Sequence, residues 1–221
     1  MSETPGDEHP LAGSAASAAS AGSADRRGAP AEGRPEPIVL RGFDERNAAE
    51  REAVLQICVL TGDAGADATR TLVGDDPDPL TERWAAPYLD LEPRFALLAQ
   101  AAGRVVGYAL GAPDTRRFAE QFRDRPTTLT PEERRQHALG LVIPEVDEYP
   151  AHLHVDLLPE AQGRGVGRRL VEGVVARLKA AGASGIHLVV DPRNTGALAF
   201  YPRVGFRELR RDEQGVLFVR A

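Results

Sequence analysis

The stretch that decides the fold covers residues 152–170 and reads HLHVDLLPEAQGRGVGRRL. Its first half alternates polar and apolar residues, which predicts a β-strand over residues 152–158. A proline follows, and glycines then occupy every second position over residues 163–167. The apolar spacing beyond them predicts a helix over about 165–181. Such a junction can serve tight packing of strand against helix, or it can hold a phosphate.

Two common phosphate-binding motifs do not fit this junction. A Rossmann fingerprint needs G-x-G-x-x-G, but Arg168 stands where its third glycine would be. A P-loop needs a lysine after its last glycine, and the single lysine of the chain is Lys179. What remains is QGRGVG at a helix N-terminus, where backbone N–H groups and the helix dipole favour an anion. The motif favours a pyrophosphate, and the packing alternative stays open.

The amino-acid composition argues against several classes of protein. The length of 221 residues suits one domain with a tail, and the net charge of −6 argues against a general nucleic-acid binder. Cys58 is the only cysteine, so an intrachain disulfide is excluded and a buried apolar role is expected. The sequence has neither an apolar run of membrane-spanning length nor a basic, apolar leader. We expect a cytoplasmic monomer or homodimer without nucleic-acid or membrane partners.

The chain divides into a tail and one folded domain. Residues 1–36 are rich in Ala, Ser, Gly, Pro and charge, which predicts a disordered low-complexity tail. Residues 37–221 read as β-α-α-β-β-α-α-β-α-β-α-β-β. A parallel strand pair around the glycine turn and antiparallel hairpins elsewhere predict a mixed α/β sheet flanked by helices. Strands are expected at 37–43, 95–100, 104–112 and 152–158, with a helix broken near Pro87 and a capping box from Thr130 to Glu133.

Two motifs in order carry a family resemblance. QGRGVG after a strand resembles the Q/R-x-x-G-x-G/A acetyl-CoA signature of the GNAT N-acetyltransferase superfamily. Residues 194–206, NTGALAFYPRVGF, resemble the N-x-x-A-x-x-F-Y-x-x-x-G-F segment that follows the next strand in that family. The resemblance implies the GNAT fold, a mostly antiparallel twisted sheet whose central parallel strand pair is splayed for acetyl-CoA, the cosubstrate.

A narrower resemblance rests on other segments. ICVLTGDAGADAT (57–69), AAPYLDLEP (85–93) and GYALGAPDT (107–115) are similar to the acetyltransferase-like domain at the carboxyl end of O-GlcNAcase and to its stand-alone bacterial relatives. The intact QGRGVG is similar to those bacterial relatives and implies that the chain holds acetyl-CoA.

The GNAT resemblance assigns the cofactor residues. Amides of the glycine turn would hold the pyrophosphate, Arg164 and Arg168 would add charge, and main-chain groups of Leu157 and Leu158 would meet the pantetheine. A solvated helix face for the arginines, and a pure N-cap role for Asn194, remain alternatives. The residues expected to bind acetyl-CoA are Leu157, Leu158, Gln162, Gly163, Arg164, Gly165, Val166, Gly167, Arg168 and Asn194.

The resemblance also suggests an acid, whereas the strand pattern suggests a base. Tyr201 matches the family's tyrosine beside the sulfur of coenzyme A, where a protonated phenol can protonate the departing thiolate. A buried tyrosine bonded to backbone is the alternative. His152, His154 and Asp156 share one face of the strand, which predicts a polar cavity unless that face meets solvent or a loop. Asp156 is the first choice of base and His154 the second.

The loop TGDAGADAT is where GNAT enzymes build the acceptor site. Asp63 and Asp67 there suit a cationic amine, with Tyr88 on the same wall, although helix-cap and Asx-turn roles explain both aspartates equally well. We expect no metal site. The predicted function is acetyl-CoA-dependent N-acetyl transfer, in a ternary complex, to an unidentified primary amine of a small molecule or protein. The alternative is a catalytically weak pseudo-enzyme that senses acetyl-CoA or binds proteins.

Overall fold

A computed structural model describes residues 37–69 and 78–221. The tail predicted for residues 1–36, and residues 70–77 of the loop expected after the first helix, lie outside these ranges. The order of elements is the predicted one, except that three helices rather than two lie between the first two strands. The strands are β1 Val39–Gly42, β2 Leu97–Ala101, β3 Arg104–Ala112, β4 Ala151–Leu157, β5 Ile186–Val190, β6 Arg207–Asp212 and β7 Gly215–Arg220. The helices are α1 Ala48–Thr61, α2 Asp78–Trp84, α3 Ala86–Leu91, α4 Thr115–Asp124, α5 Pro131–Leu141, α6 Val166–Ala180 and α7 Thr195–Phe200.

The strands form one sheet in the order β1-β2-β3-β4-β5-β7-β6. The pair β4–β5 is parallel, and every other neighbouring pair is antiparallel. Hairpins join β2 to β3 and β6 to β7, which makes those pairs antiparallel, and the α6 crossover joins the parallel pair. The predicted mixed, mostly antiparallel sheet flanked by helices is confirmed.

The parallel pair separates soon after it begins. In the described part of the chain, β4 and β5 are in register at Ala151–Ile186 and His152–His187 only. On its other side β4 pairs with β3 along its length, and the amide of Leu158 continues this by donating to Val106 O at 3.0 Å. Antiparallel pairing alternates, so the main-chain groups of Leu157 point away from β3. They face the opening between β4 and β5.

Helices cover both faces of β4. Leu153 and Val155 face α6, whose Leu170 and Val174 are fully buried against them. A Cβ at Gly111 of β3 would lie 2.8 Å from Val174 Cγ2, so only a glycine permits this close approach of α6. The opposite face of the sheet lies under α1, α3 and α4, with side chains such as Val54, Tyr88 and Phe118 in its core. The odd-numbered and even-numbered side chains of β4 therefore have separate, buried environments.

Local signals determine where several elements begin. The capping box at α5 is present, since Thr130 accepts from the Glu133 amide and Glu133 accepts from the Thr130 amide. The helix predicted to break near Pro87 divides into α2 and α3. The strand predicted from residue 95 begins at Leu97 instead, because Pro93–Phe95 forms a 3-10 turn in which the Ala96 amide bonds to Pro93 O.

Candidate functional site

The glycine turn opens onto unfilled space at the start of α6. Gly163 and Gly165 have φ angles of 69° and 73°, the left-handed region that favours glycine. An added Cβ would meet no atom within 4 Å at either position. Gly165 is also the N-cap, so it has no side chain to cover the first amides of the helix. These amides and the positive end of the helix dipole form an anion cradle.

A groove of about 180 Å³ adjoins this cradle. Its walls come from the glycine turn, from Leu157 of β4 and from the segment that follows β5. Gly167 differs from the other two glycines, because a Cβ there would lie 3.2 Å from Leu157 Cδ1 and 3.3 Å from Phe200 Cζ. Gly167 thus serves helix packing, whereas Gly163 and Gly165 leave room for a ligand. The lining residues are Leu157, Gln162, Gly163, Gly165, Gly167, Arg168, Phe200, Arg203 and Val204.

Polar contacts fix the turn to its surroundings. Gln162 Nε2 donates to Leu157 O at 3.0 Å, which ties the turn to the end of β4. Arg168 lines the groove, donates to Arg203 O at 2.6 Å and pairs with Glu172 at 3.4 Å, with its side chain half exposed. Arg164 is exposed on the turn. Two positive charges therefore lie on or beside the cradle.

The polar face of β4 is buried, so the alternative in which it meets solvent is wrong. His152, His154 and Asp156 are 5%, 4% and 1% exposed. Asp156 Oδ2 accepts from Tyr108 Oη at 2.5 Å and lies 2.9 Å from His154 Nε2. Burial, and then the charge of Asp156, hold the pKa of Tyr108 well above its ordinary value. The phenol is therefore a permanent donor to the carboxylate.

Aromatic rings enclose the histidines of this face. The His154 ring stacks between Trp84 and Tyr108, at centroid distances of 6.1 and 6.0 Å. His152 contacts Tyr88 through an edge at 5.4 Å, and its Nδ1 lies 2.8 Å from Thr115 Oγ1. Burial, followed by the neighbouring histidines, lowers the pKa of His152 well below its ordinary value. Tyr88, expected beside the acceptor loop, is thus packed against His152.

Sequence reasoning missed Tyr108 and Trp84. Tyr108 lies in a strand of small and apolar residues, where it reads as core. What identifies it is the register of the antiparallel pair β3–β4, which places Tyr108 directly opposite Asp156. Trp84 gave no signal, because its contact with His154 depends on how α2 packs on the sheet.

Tyr201 lies in a short 3-10 turn after α7 and is fully buried. Its ring packs against Phe206 and Phe218 at centroid distances of 5.6 Å. Among the described residues its hydroxyl has no hydrogen-bond partner, so the predicted alternative of a bond to backbone is not what the structure shows. Burial, and then the charge of Asp156, raise the pKa of Tyr201 well above 10. A protonated donor without a partner suits a group that arrives with a substrate.

Asp63, the first aspartate of the acceptor loop, forms an ion pair. Asp63 Oδ1 lies 3.0 Å from a guanidinium nitrogen of Arg193, which also pairs with Asp191 at 2.7 Å. Arg193 follows β5, so the pair connects the loop after α1 to the far side of the strand opening. Sequence reasoning missed this contact, because the partners are remote along the chain.

The second aspartate and Asn194 make local contacts. Asp67 Oδ1 accepts from the Thr69 amide at 2.9 Å, as in an Asx turn. Asn194 is buried and its Oδ1 accepts from the Ala197 amide at 2.9 Å, so the predicted N-cap is confirmed. A Cβ at Gly65 would lie 3.2 Å from Asn194 Nδ2, which places the acceptor loop directly against this cap.

Among residues 37–69 and 78–221, no three His, Cys, Asp or Glu side chains are grouped so as to hold a metal ion. No helix there combines the length and the hydropathy that crossing a membrane requires.

Comparison with known proteins identifies the class. The model of the acetyltransferase (GNAT) family matches residues 66–206, and the chain belongs to this family. The crystal structure of SsHAT is 37% identical with a TM-score of 0.72, over 83% of this chain and 97% of that one. The structure of yncA from Salmonella typhimurium, solved with acetyl-CoA, shares the fold at 16% identity and a TM-score of 0.52, over 82% and 92% of the two chains.

One curated relative matches over a short region. Mycothiol acetyltransferase of Actinosynnema mirum is 37% identical over 59 residues, which is 27% of this chain and 20% of that protein. The match thus spans about a fifth of the relative's length. The family match and the likeness to SsHAT together place the chain in the acetyltransferase (GNAT) family.

Proposed function

We propose that this chain transfers an acetyl group from acetyl-CoA to a primary amine by direct attack in a ternary complex. The observation that carries the proposal is the anion cradle of Gly163 and Gly165 beside the opening between β4 and β5. Asp156 lies on β4, and Tyr201, whose hydroxyl has no hydrogen-bond partner among the described residues, lies after β5, so the two residues come from the two strands that flank the opening. A base and an acid would thus serve one opening.

The cradle and groove fit the anionic and extended parts of acetyl-CoA. Backbone amides at Gly163 and Gly165 would hold the pyrophosphate, with Arg164 and Arg168 adding positive charge. The main-chain groups of Leu157 face the strand opening, where the pantetheine would lie like an added strand. The remaining predicted contacts belong to Leu158, Gln162, Val166, Gly167 and Asn194. The cosubstrate supplies an activated thioester carbonyl.

The residues of the chain move protons during the transfer. The amine nitrogen forms a bond to the thioester carbon while the bond from carbon to sulfur breaks. Asp156 takes the proton of the amine, directly or through water, and Tyr201 gives its phenolic proton to the departing thiolate. The amides near Leu157 stabilise the oxyanion. The proton on Asp156 then returns to the phenolate of Tyr201. His154 is the second candidate for the base.

The acceptor is a small molecule or protein amine that enters from the loop after α1. Asp63, Asp67 and Tyr88 remain the proposed wall of this site. A cationic acceptor would have to compete with Arg193 for Asp63, because the two already form an ion pair. We therefore expect acceptor binding to weaken at high salt, as exposed ion pairs do.

A second candidate function is an acetyl-CoA sensor or interaction module without turnover. The observation in its favour is the burial of Asp156, whose bonds to Tyr108 and His154 are also what a purely structural core carboxylate would make.

Thiol release from acetyl-CoA with a panel of amines separates the two functions. The panel contains polyamines, aminoglycosides, amino acids and peptides with free amino termini. We expect acceptor-dependent release, and loss of at least a hundredfold in turnover for Asp156→Asn without loss of acetyl-CoA binding. Asp147→Asn, at an 86% exposed side chain, is the control. Acetyl-CoA binding without release on any amine would support the sensor.

A further inference from the structure

Two side chains converge on one oxygen of Asp156. Tyr108 reaches Oδ2 from the directly opposite position of β3, and His154 reaches it from two residues earlier on β4. All three side chains are 0 to 4% exposed. A carboxylate removed from water is costly unless donors satisfy it, and both contacts supply a partner for Oδ2.

The contact between His154 Nε2 and Asp156 Oδ2 determines which of the two groups donates the hydrogen bond. An ionised carboxylate only accepts, so His154 donates through Nε2–H. The ring is held between Trp84 and Tyr108, which prevents it from turning away. A nitrogen that already carries the donated proton cannot accept another from an amine. Nε2 of His154 is therefore a donor to Asp156.

Four titratable groups surround the carboxylate. Tyr108 on β3 and His154 on β4 contact it directly, and its charge also acts on Tyr201 in the turn after α7 and on Cys58 of α1. Burial, and then Asp156, raise the pKa of the Cys58 thiol, which also shares a hydrogen bond with Tyr108. The phenols and the thiol therefore remain protonated and neutral at physiological pH.

We propose that Tyr108 and His154 are positioning residues that hold Asp156 through Oδ2 for its work as the base. This inference rests on the proposed function and assigns a role to a residue, Tyr108, that the motifs do not reach. Asp156, rather than His154, is the residue that takes the proton, because Asp156 lies nearer the glycine turn along β4 and Nε2 of His154 already donates to Asp156.

The first test needs no acceptor. Imidazole ¹⁵N NMR of the full chain, which has five histidines, reports the tautomer of each ring. We expect His154 in the Nε2–H form at pH 7, and loss of this fixed form in Asp156→Ala. An Nδ1–H form, or an unchanged His154 signal in Asp156→Ala, would overturn the inference whether or not the chain is an active enzyme.

The second test uses the amine that gives the fastest thiol release. For Tyr108→Phe we expect kcat to fall about tenfold, as for the loss of a hydrogen bond to a charged group, with the acetyl-CoA Kd unchanged. Tyr149→Phe removes a hydroxyl bonded to Glu148 and Arg207 elsewhere in the fold and is the control.

Substitutions of His154 separate positioning from proton abstraction. His154→Gln keeps an N–H donor but has no basic nitrogen, so we expect it to retain most of the activity that His154→Leu loses. His154→Gln as inactive as Asp156→Asn would make His154 the base and overturn the assignment. Equal kcat values and equal acetyl-CoA Kd values for Tyr108→Phe and Tyr149→Phe would overturn the role assigned to Tyr108. Absence of thiol release from the wild-type chain would instead contradict the proposed function.

Discussion

Replacing Gly165 by alanine tests whether the glycine turn holds the cofactor. The φ of 73° places any L-residue in the left-handed region, which costs about 1 kcal/mol of folding free energy. No atom lies within 4 Å of the added Cβ, so packing contributes nothing further. The methyl group would occupy the space in front of the first amides of α6. If a phosphate binds there, the substitution removes a hydrogen bond to a charged group, about 1.5–3 kcal/mol.

Gly103→Ala is a matched control for this substitution. Gly103 lies in the β2–β3 turn with a φ of 78°, and an added Cβ there also meets nothing within 4 Å. Both variants should lose about 1 kcal/mol in urea unfolding. Equilibrium dialysis with labelled acetyl-CoA should show a Kd raised about tenfold to a hundredfold for Gly165→Ala and unchanged for Gly103→Ala. Equal Kd values for acetyl-CoA in the two variants would refute the claim that the cradle holds the cofactor.

Two further predictions concern the acid and the buried histidines. Tyr201→Phe should lower kcat at least tenfold and leave the acetyl-CoA Kd unchanged, because it removes only the donor; unchanged turnover would reject its role as the acid. Burial lowers the pKa of His187 to about 4 and that of His137 to about 3. The contribution of each neutral histidine to the free energy of unfolding is therefore fully present above pH 6.5 and is lost as the pH falls. At pH 5, the free energy of unfolding measured in urea should be lower by about 2 kcal/mol because of His187. The variant His187→Gln, which cannot titrate at this position, should lose correspondingly less.

Patterns that are local in sequence predicted most of the fold. A hairpin pattern predicted β3, alternation predicted β4, apolar spacing predicted α6, and the capping box at Thr130 marked the start of α5. Each of these signals involves only a few neighbouring residues, so it can be recognised without knowledge of the tertiary structure. The strand expected from Phe95 began two residues late, because a proline turn replaced its first residues.

The site residues were predictable only where they lie together in one continuous segment of the chain. The glycine turn and the Asn194 cap are contiguous motifs, and both were found. The contact between Tyr108 and Asp156 spans 48 residues, and the ion pair between Asp63 and Arg193 spans far more. Such contacts depend on register and on helix packing, which a single sequence does not encode in any local pattern.

The central claim is that the cradle at the start of α6 holds acetyl-CoA. Calorimetric titration of the full chain with acetyl-CoA tests it most directly, because it needs neither an acceptor nor turnover. The account predicts saturable binding at one site per chain. No heat of binding at millimolar acetyl-CoA would contradict it and would remove the basis for acetyl transfer by this chain.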